Sequence, residues 1–343
     1  MREQIRVLVI DDSRTMQAIL KFQLEQDPGI KVVGMAANPL AAREAINATK
    51  PDVLTLDINM PGMGGLEFLD RLMKIHPMPV VIVSSLVNKY SEVALDALTL
   101  GAFDCFLKPV SATDATAYDE LRSKIRATKS SPLSRQPQHN TERGKNSDYV
   151  PGEHIVALGA STGGVDALLQ ILAAYPRNCP PTVITQHMPK SFTKTFAKRL
   201  DENSDAVVEE ARNGVQLKTG TVYLAPGGDA HLEVTGRTKP LCRLREGELV
   251  SGHRPSVDVL FRSVARSGRK AVGVILTGMG DDGTQGLLEM RNAGARTLGQ
   301  DKSSSLVYGM PRVAFEAGAV EKQVPLAKVS TEIMRLTSKS AAG

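Results

Sequence analysis

The sequence predicts an α/β protein made of two successive units, each a parallel sheet with helices on both faces. Three observations carry that expectation. Short β-branched runs alternate with segments of helical periodicity before and after one interruption. The interruption, TKSSPLSRQPQHNTERGKNSDY from Thr128 to Tyr149, is polar, holds two prolines and has neither period. A length of 343 residues, 42% of them hydrophobic, leaves room for two cores.

In the first unit, strands are expected at IRVLVI, KVVGMA, DVLTLDI, PVVIVSS and AFDCFLK, each a short Val/Ile/Leu-rich run between turn residues. Helices are expected from about Arg14 to Gln26, near Pro39 to Thr49, at LEFLDRLMKI, at YSEVALDALTLG and near Asp114 to Thr128. After the interruption, HIVALGAS, PTVITQH, TVYLAPG, HLEVT and AVGVILTG read as strands. VDALLQILAAY, TKTFAKRLDEN, SVDVLFRSVARSG and TQGLLEMRNAG read as helices, and an antiparallel piece is expected around residues 221–250. The expected organisation is a first domain over residues 1–127, a flexible linker over 128–150 and a second domain over 151–343.

Charge and composition exclude several function classes. The net charge is +5, divided as −2 over 1–127, +2 over 128–150 and +5 over 151–343. Without a Lys/Arg-rich block or a basic recognition helix, no nucleic-acid partner is expected. No apolar run reaches membrane-spanning length, and the N-terminus enters a strand at once, so a cytoplasmic protein with no direct membrane insertion is expected. Cys105, Cys179 and Cys242 are too few and too scattered for a disulfide framework or a zinc cluster, and each is read as a small buried apolar residue.

In open α/β sheets, ligands gather at the carboxyl ends of the strands. Asp11 and Asp12 follow IRVLVI, Asp57 ends DVLTLD, Ser84 and Ser85 follow PVVIV, and Lys108 ends CFL. Three clustered carboxylates call for a hard cation such as Mg²⁺, with a lysine and a hydroxyl placed to meet an incoming anion. Taken singly, Asp11 or Asp12 could cap the next helix, and Lys108 could be a solvated charge.

Residues 1–127 resemble a response-regulator receiver domain in VLVIDDSRTM, LDINMPGMGG, VSS and LKP. The resemblance implies a flavodoxin-like, five-stranded parallel sheet and phosphorylation of Asp57 by a chemotaxis-type histidine kinase, CheA-like. It also implies Mg²⁺ held by Asp11, Asp12, Asp57 and the carbonyl of Asn59, with Ser84 and Lys108 engaging the phosphate. In GAFDCFLKP, Cys105 followed by Phe106 stands where many receivers place an aromatic switch residue.

In the second unit, HIVALGASTGG reads as strand, glycine-rich turn and helix, and Gly159 to Gly163 fits the nucleophile-elbow pattern G-x-S-x-G around Ser161. A helix N-terminus there suits an oxyanion. Two other readings stand beside it: Ser161 as the N-cap of VDALLQIL, and GASTGG as a phosphate cradle, although the usual phosphate-loop endings are missing. Of six histidines, His187 ends the strand PTVITQH and should share the sheet edge with Ser161. Asp281 and Asp282 follow AVGVILTGMG and could supply the orienting acid, or cap the next helix. No histidine follows Asp282, so the order Ser161, His187, Asp282 departs from ordinary α/β-hydrolases. A rival set, Ser161 with Asp229 and His253, keeps the hydrolase order.

Residues 151–343 resemble the catalytic domain of the chemotaxis protein-glutamate methylesterases, the CheB family, in GASTGG, TQHMP, FAKRLD, YLAPGG, HRPSVDVLF and LTGMGDDG. The resemblance implies a doubly wound α/β methylesterase domain with an antiparallel hairpin region. It makes Ser161 the nucleophile, His187 the general base and Asp282 the orienting acid, and puts the Met279 N–H in the oxyanion hole. The implied activity is phosphorylation-activated hydrolysis of glutamate methyl esters on methylated chemoreceptors, with glutamine deamidation as a second activity of some members and no cofactor for the ester chemistry. The alternative from another class is a response regulator whose output domain binds protein without catalysis.

Overall fold

The structure, a computed structural model, describes residues 4–60, 64–84, 91–109, 116–129, 149–236 and 238–339. Most of the expected linker, residues 130–148, lies outside the described residues. The chain divides into two compact units, Met1–Gln138 and His139–Gly343.

The first unit contains β1 (Ile5–Ile10), α1 (Arg14–Glu25), β2 (Ile30–Ala36), α2 (Pro39–Thr49), β3 (Val53–Leu56), α3 (Gly65–Ile75), β4 (Val80–Ser84), α4 (Ser91–Thr99), β5 (Asp104–Leu107) and α5 (Asp119–Thr128). Its five strands pair in parallel in the order β2-β1-β3-β4-β5. Strands β3 and β4 are buried at every position, as expected of strands covered on both faces. Chain direction across the sheet reverses between β1 and β3, which opens a crevice at their carboxyl ends. The last helix begins at Asp119, after a 3-10 turn at Thr116–Tyr118.

The second unit contains β6 (Ile155–Ala160), α6 (Gly164–Ala173), β7 (Thr182–Gln186), α7 (Lys190–Glu202), β8 (Val207–Glu210), β9 (Thr221–Leu224), β10 (Ala230–Thr235), β11 (Leu241–Glu246), α8 (Val257–Arg266), β12 (Ala271–Ile275), α9 (Thr284–Asn292), β13 (Arg296–Gln300), α10 (Met310–Glu316), β14 (Lys322–Val324) and α11 (Leu326–Thr337). Seven strands form a parallel sheet in the order β14-β13-β12-β6-β7-β9-β8. The chain enters at the central strand β6, runs outward through β7, then crosses to β12 on the other side of β6. The carboxyl ends of β6, β7 and β12 therefore meet at a topological switch point.

The antiparallel piece is narrower than the sequence suggested. It is the pair β10-β11, over 230–246, while β9 joins the parallel sheet. Strands β8, β13 and β14 and helices α10 and α11 have no counterpart in the sequence reading. The strand segments are short and carry charged or small residues, such as KQV and RTLGQ, which leave weak periodicity, whereas α11 buries Leu326, Val329, Ile333 and Met334 at a helical spacing that was readable. The described chain resumes at Tyr149, whose hydroxyl lies 2.8 Å from Thr337 Oγ1 and so ties the start of this unit to the end of α11. Cys179 and Cys242 are buried free thiols, as expected, with burial pushing both up to about 12. Cys105 is only half-buried.

Candidate functional site

In the first unit, Asp11, Asp12, Asp57, Ser84 and Lys108 sit at carboxyl strand ends. Ligand oxygens of Asp11, Asp12 and Asp57 lie within 4.8 Å of one another. Lys108, at the end of β5, donates from Nζ to Asp11 Oδ2 at 2.7 Å and also to Asp57 Oδ2. Burial raises the Asp11 carboxyl above its usual value, against the pull of Lys108. Burial works on Lys108 in the other direction, but its bonds to Asp11 and Asp57 prevail and hold it above the usual lysine range. The Asn59 N–H donates to Asp57 Oδ1 at 2.9 Å, folding the β3 loop back over the carboxylate. Ser84 is fully buried at the end of β4, and its hydroxyl has no hydrogen-bond partner among the described residues. Neither Asp11 nor Asp12 caps α1, because Ser13 accepts the Met16 N–H there. Ser85 and Pro61 to Met63 lie outside the described residues. Phe106 turns inward, 5.7 Å ring to ring from Tyr118, so the aromatic next to Cys105 belongs to the core.

In the second unit, β6 and β7 run in register, Ala160 opposite Gln186, so Ser161 and His187 are the next residues on adjacent strands. The His187 N–H donates to Ala160 O at 3.1 Å. Gln186 Nε2 bridges the two turns, donating to Ser161 O and His187 O at 3.0 Å each. Ser161 does not cap α6. The N-cap is Gly163, at φ +80°, with no side-chain cap bond, so the serine hydroxyl is not committed to the helix end. Its backbone is held instead, since the Ser161 N–H donates to Thr277 O at 3.0 Å and Ser161 O accepts from Gly164 N at 2.7 Å.

The loop after β12 packs on this turn. A Cβ added to Gly278 would lie 2.8 Å from Ser161 Cβ and 2.3 Å from Met310 Sδ, so only glycine fits and the half-buried Met279 follows directly. Asp282 does not cap α9 either, because that N-cap is Gly283 without a side-chain bond. Its carboxylate, 1% exposed, takes four donors. His187 Nε2 and Val257 N approach Oδ2 at 2.8 and 2.7 Å, and Ser256 Oγ and Asp258 N approach Oδ1 at 2.7 and 3.0 Å. Burial alone would raise this carboxyl, but the bonds from His187, Ser256 and the Asp258 N–H outweigh it and hold it below the usual range. Asp281 is exposed, which settles which member of the pair faces His187.

A carboxylate only accepts, so the His187 proton sits on Nε2 toward Asp282. The other nitrogen, Nδ1, is buried without a partner among the described residues, and it is the one free to accept a proton. This is the reverse of the nitrogen assignment in the familiar serine-protease arrangement, where Nδ1 faces the acid. His253 stacks on the same ring, with centroids 3.6 Å apart and planes at 13°. Asp229, its partner in the rival set, is 75% exposed and lies 3.4 Å from Lys190.

Sequence reasoning missed the Ser256 donor, the Gln186 bridge and the His253 stack. Ser256 had a readable signal, a serine just before the amphipathic run VDVLF, which marks a helix start. The other two depend on strand register and loop packing, and no local pattern announces them.

Both units are similar to known proteins. The family model for CheB methylesterase matches residues 156–333, and that for the response regulator receiver domain matches 7–118. The protein-glutamate methylesterase/protein-glutamine glutaminase of Agrobacterium fabrum is 52% identical, with 98% of each chain covered. The similarly named protein 1 of Caulobacter vibrioides is 54% identical, again over 98% of each. The crystal structure of the Thermotoga maritima CheB methylesterase catalytic domain is 38% identical and covers 55% of this chain and 100% of its own, with a TM-score of 0.52. A serine, a histidine and a carboxylate brought to one switch point of the second unit, after a receiver-type sheet in the first and along a full-length match, have one explanation: this chain belongs to the CheB methylesterase family, with an N-terminal response-regulator receiver domain.

Proposed function

We propose that the chain hydrolyses γ-methyl esters of glutamate side chains on chemoreceptors, and deamidates receptor glutamines, under control of phosphorylation at Asp57. The observation that carries the reading is the 2.8 Å bond between His187 Nε2 and Asp282, on a strand whose neighbour ends at Ser161. The full-length likeness to proteins named for both activities supports it.

In this mechanism Ser161 Oγ attacks the ester carbonyl carbon while its proton passes to His187 Nδ1. Asp282 stabilises the imidazolium and fixes the ring. The Ser161 N–H is already given to Thr277, and the resemblance to the methylesterase family assigns the developing oxyanion to the N–H of Met279, on the loop over the serine. The C–O bond to methanol breaks, and His187 returns the proton to the departing oxygen. Water, activated by the same Nδ1, then opens the acyl-serine and frees the glutamate carboxylate. A glutamine side chain follows the same course, with ammonia leaving in place of methanol.

In the receiver, the clustered carboxylate oxygens of Asp11, Asp12 and Asp57 suit Mg²⁺, and the Asn59 carbonyl is assigned as a further ligand from the resemblance to receiver domains. Bound there, Mg²⁺ neutralises the carboxylates and the charge of the incoming phosphoryl group. Asp57 accepts the phosphoryl group from a CheA-like histidine kinase, Lys108 exchanges its carboxylate partner for a phosphate oxygen, and the unpartnered Ser84 hydroxyl supplies a hydrogen bond. We assign residues 1–127 to this input and 151–343 to the output.

The test is release of labelled methanol from methylated receptor membranes, with and without a small phosphodonor. Wild type should release methanol and respond to the donor, while Ser161→Ala should release none above background. Methanol release by Ser161→Ala at the wild-type rate would sink the reading, and no release by wild type would favour a binding output.

A further inference from the structure

Ser256 is the residue the mechanism leaves unused and the structure invests in most. It is fully buried at the N-terminus of α8. Its hydroxyl donates to Asp282 Oδ1 at 2.7 Å, and its N–H donates to His231 Nδ1 at 3.1 Å. His231 is itself buried and fixed from behind, its Nε2 lying 2.8 Å from Glu248 O. The ring is thus held as the tautomer whose Nδ1 accepts. One residue therefore links the carboxylate at the active site to a rigid support on β10.

The Asp282 carboxylate needs that link because its two oxygens have different tasks. Oδ2 faces His187, and Oδ1 faces away from it. The backbone N–H groups of Val257 and Asp258 bond one oxygen each, at 2.7 and 3.0 Å, so they fix the position of the group. The Ser256 hydroxyl adds a second donor on Oδ1, and two donors on each oxygen fix the plane as well. A carboxylate free to rock about its Cβ–Cγ bond would let the His187 ring turn, and Nδ1 would lose its aim at Ser161.

We infer that Ser256 is a positioning residue for the esterase reaction, holding Asp282, and through it His187, in the reactive orientation. This rests on the Ser161, His187 and Asp282 assignment above. Ser256 also caps α8, its Oγ accepting the Val259 N–H at 3.4 Å, so the test must separate the two roles. Glycine does so, because at an N-cap it costs a helix little compared with serine while removing the hydroxyl.

The full-length Ser256→Gly protein is compared with wild type in methanol release from methylated receptor membranes and by proton NMR of the downfield His187 Nε2–H resonance. That resonance is identified by its disappearance in His187→Gln. The expected result is a fall in kcat of about 10- to 100-fold, the range for one hydrogen bond to a charged group, with KM unchanged and the resonance shifted. Wild-type kcat, or a fall in kcat with the resonance unmoved, would overturn the inference and leave Ser256 a helix cap. Asp282→Ala distinguishes the two levels of argument. If it retains wild-type kcat, the triad assignment fails; if it loses turnover while Ser256→Gly does not, only the role of Ser256 fails.

Discussion

Histidines show how little a residue's type says until its ring atoms are placed. His187, His231 and His253 all lie in or beside the second site, yet each does something different. His187 gives Nε2 to Asp282 and keeps Nδ1 open, His231 spends both nitrogens on Ser256 and Glu248, and His253 lies flat on His187. His187→Gln should therefore lower kcat for methanol release by about 10²- to 10⁴-fold, the usual contribution of a general base. Asp229→Ala, at an exposed position ion-paired among the described residues to Lys190 and the half-buried Arg254, should leave kcat at the wild-type level. The reverse pattern would move the chemistry to the rival set. Asp282 also carries a stability signature. Its folded carboxyl lies below the ordinary value of 3.8, so its contribution is fully present above that value and lost as pH falls through the folded value. The gap in thermal midpoint between wild type and Asp282→Asn should be widest near neutral pH and close progressively in acid.

At the scale of elements, the site is made by turns that leave parallel strands and by glycines that let those turns pack. Gly163 sits at φ +80°, and a Cβ there would come 2.7 Å from Leu306 Cβ. Gly163→Ala should destabilise the second unit by about 1–3 kcal/mol, the cost of a non-glycine residue forced into that backbone region, and should also lower kcat by displacing Ser161. Urea unfolding and methanol release on the same preparation would check both, and a variant of unchanged stability would show that the turn tolerates a side chain. Helix α8 has a comparable part. Its first N–H groups converge on Asp282, so the positive end of a helix helps keep that carboxylate ionised in a buried place. The strand and turn at Ser161 and the loop at Asp282 were legible in the sequence, because Gly-rich turns after apolar runs are local features. The bonds from α8 were not, since residues 256–258 are about two dozen positions away and meet Asp282 only after folding.

For the whole molecule, the two units carry separate chemistry, and phosphorylation of Asp57 is what should connect them. Adding Mg²⁺ and a small phosphodonor should raise methanol release by the full chain, and Asp57→Ala should remove that increase. An equal response from the Asp57→Ala protein would mean that the donor acts elsewhere. Among the described residues no helix is long and apolar enough to cross a membrane. The net charge of +5 describes neither unit, because it sums −2 over residues 1–127, +2 over 128–150 and +5 over 151–343.

Sequence alone determined the two α/β units, the acidic cluster with Asp57, and the strand-end positions of Ser161, His187 and the Asp281–Asp282 pair. Periodicity and strand-end position are local, and a parallel sheet turns strand-end position into proximity. Tertiary structure decided what depends on register and packing across distant segments. It chose Asp282 over Asp281 and put the proton of His187 on Nε2. It also left Asp229 at the surface, confined the antiparallel pair to β10 and β11, and brought Ser256 to the carboxylate. A hydrogen bond is set by a few tenths of an ångström and an angle, and those are fixed only when every element of the core has closed.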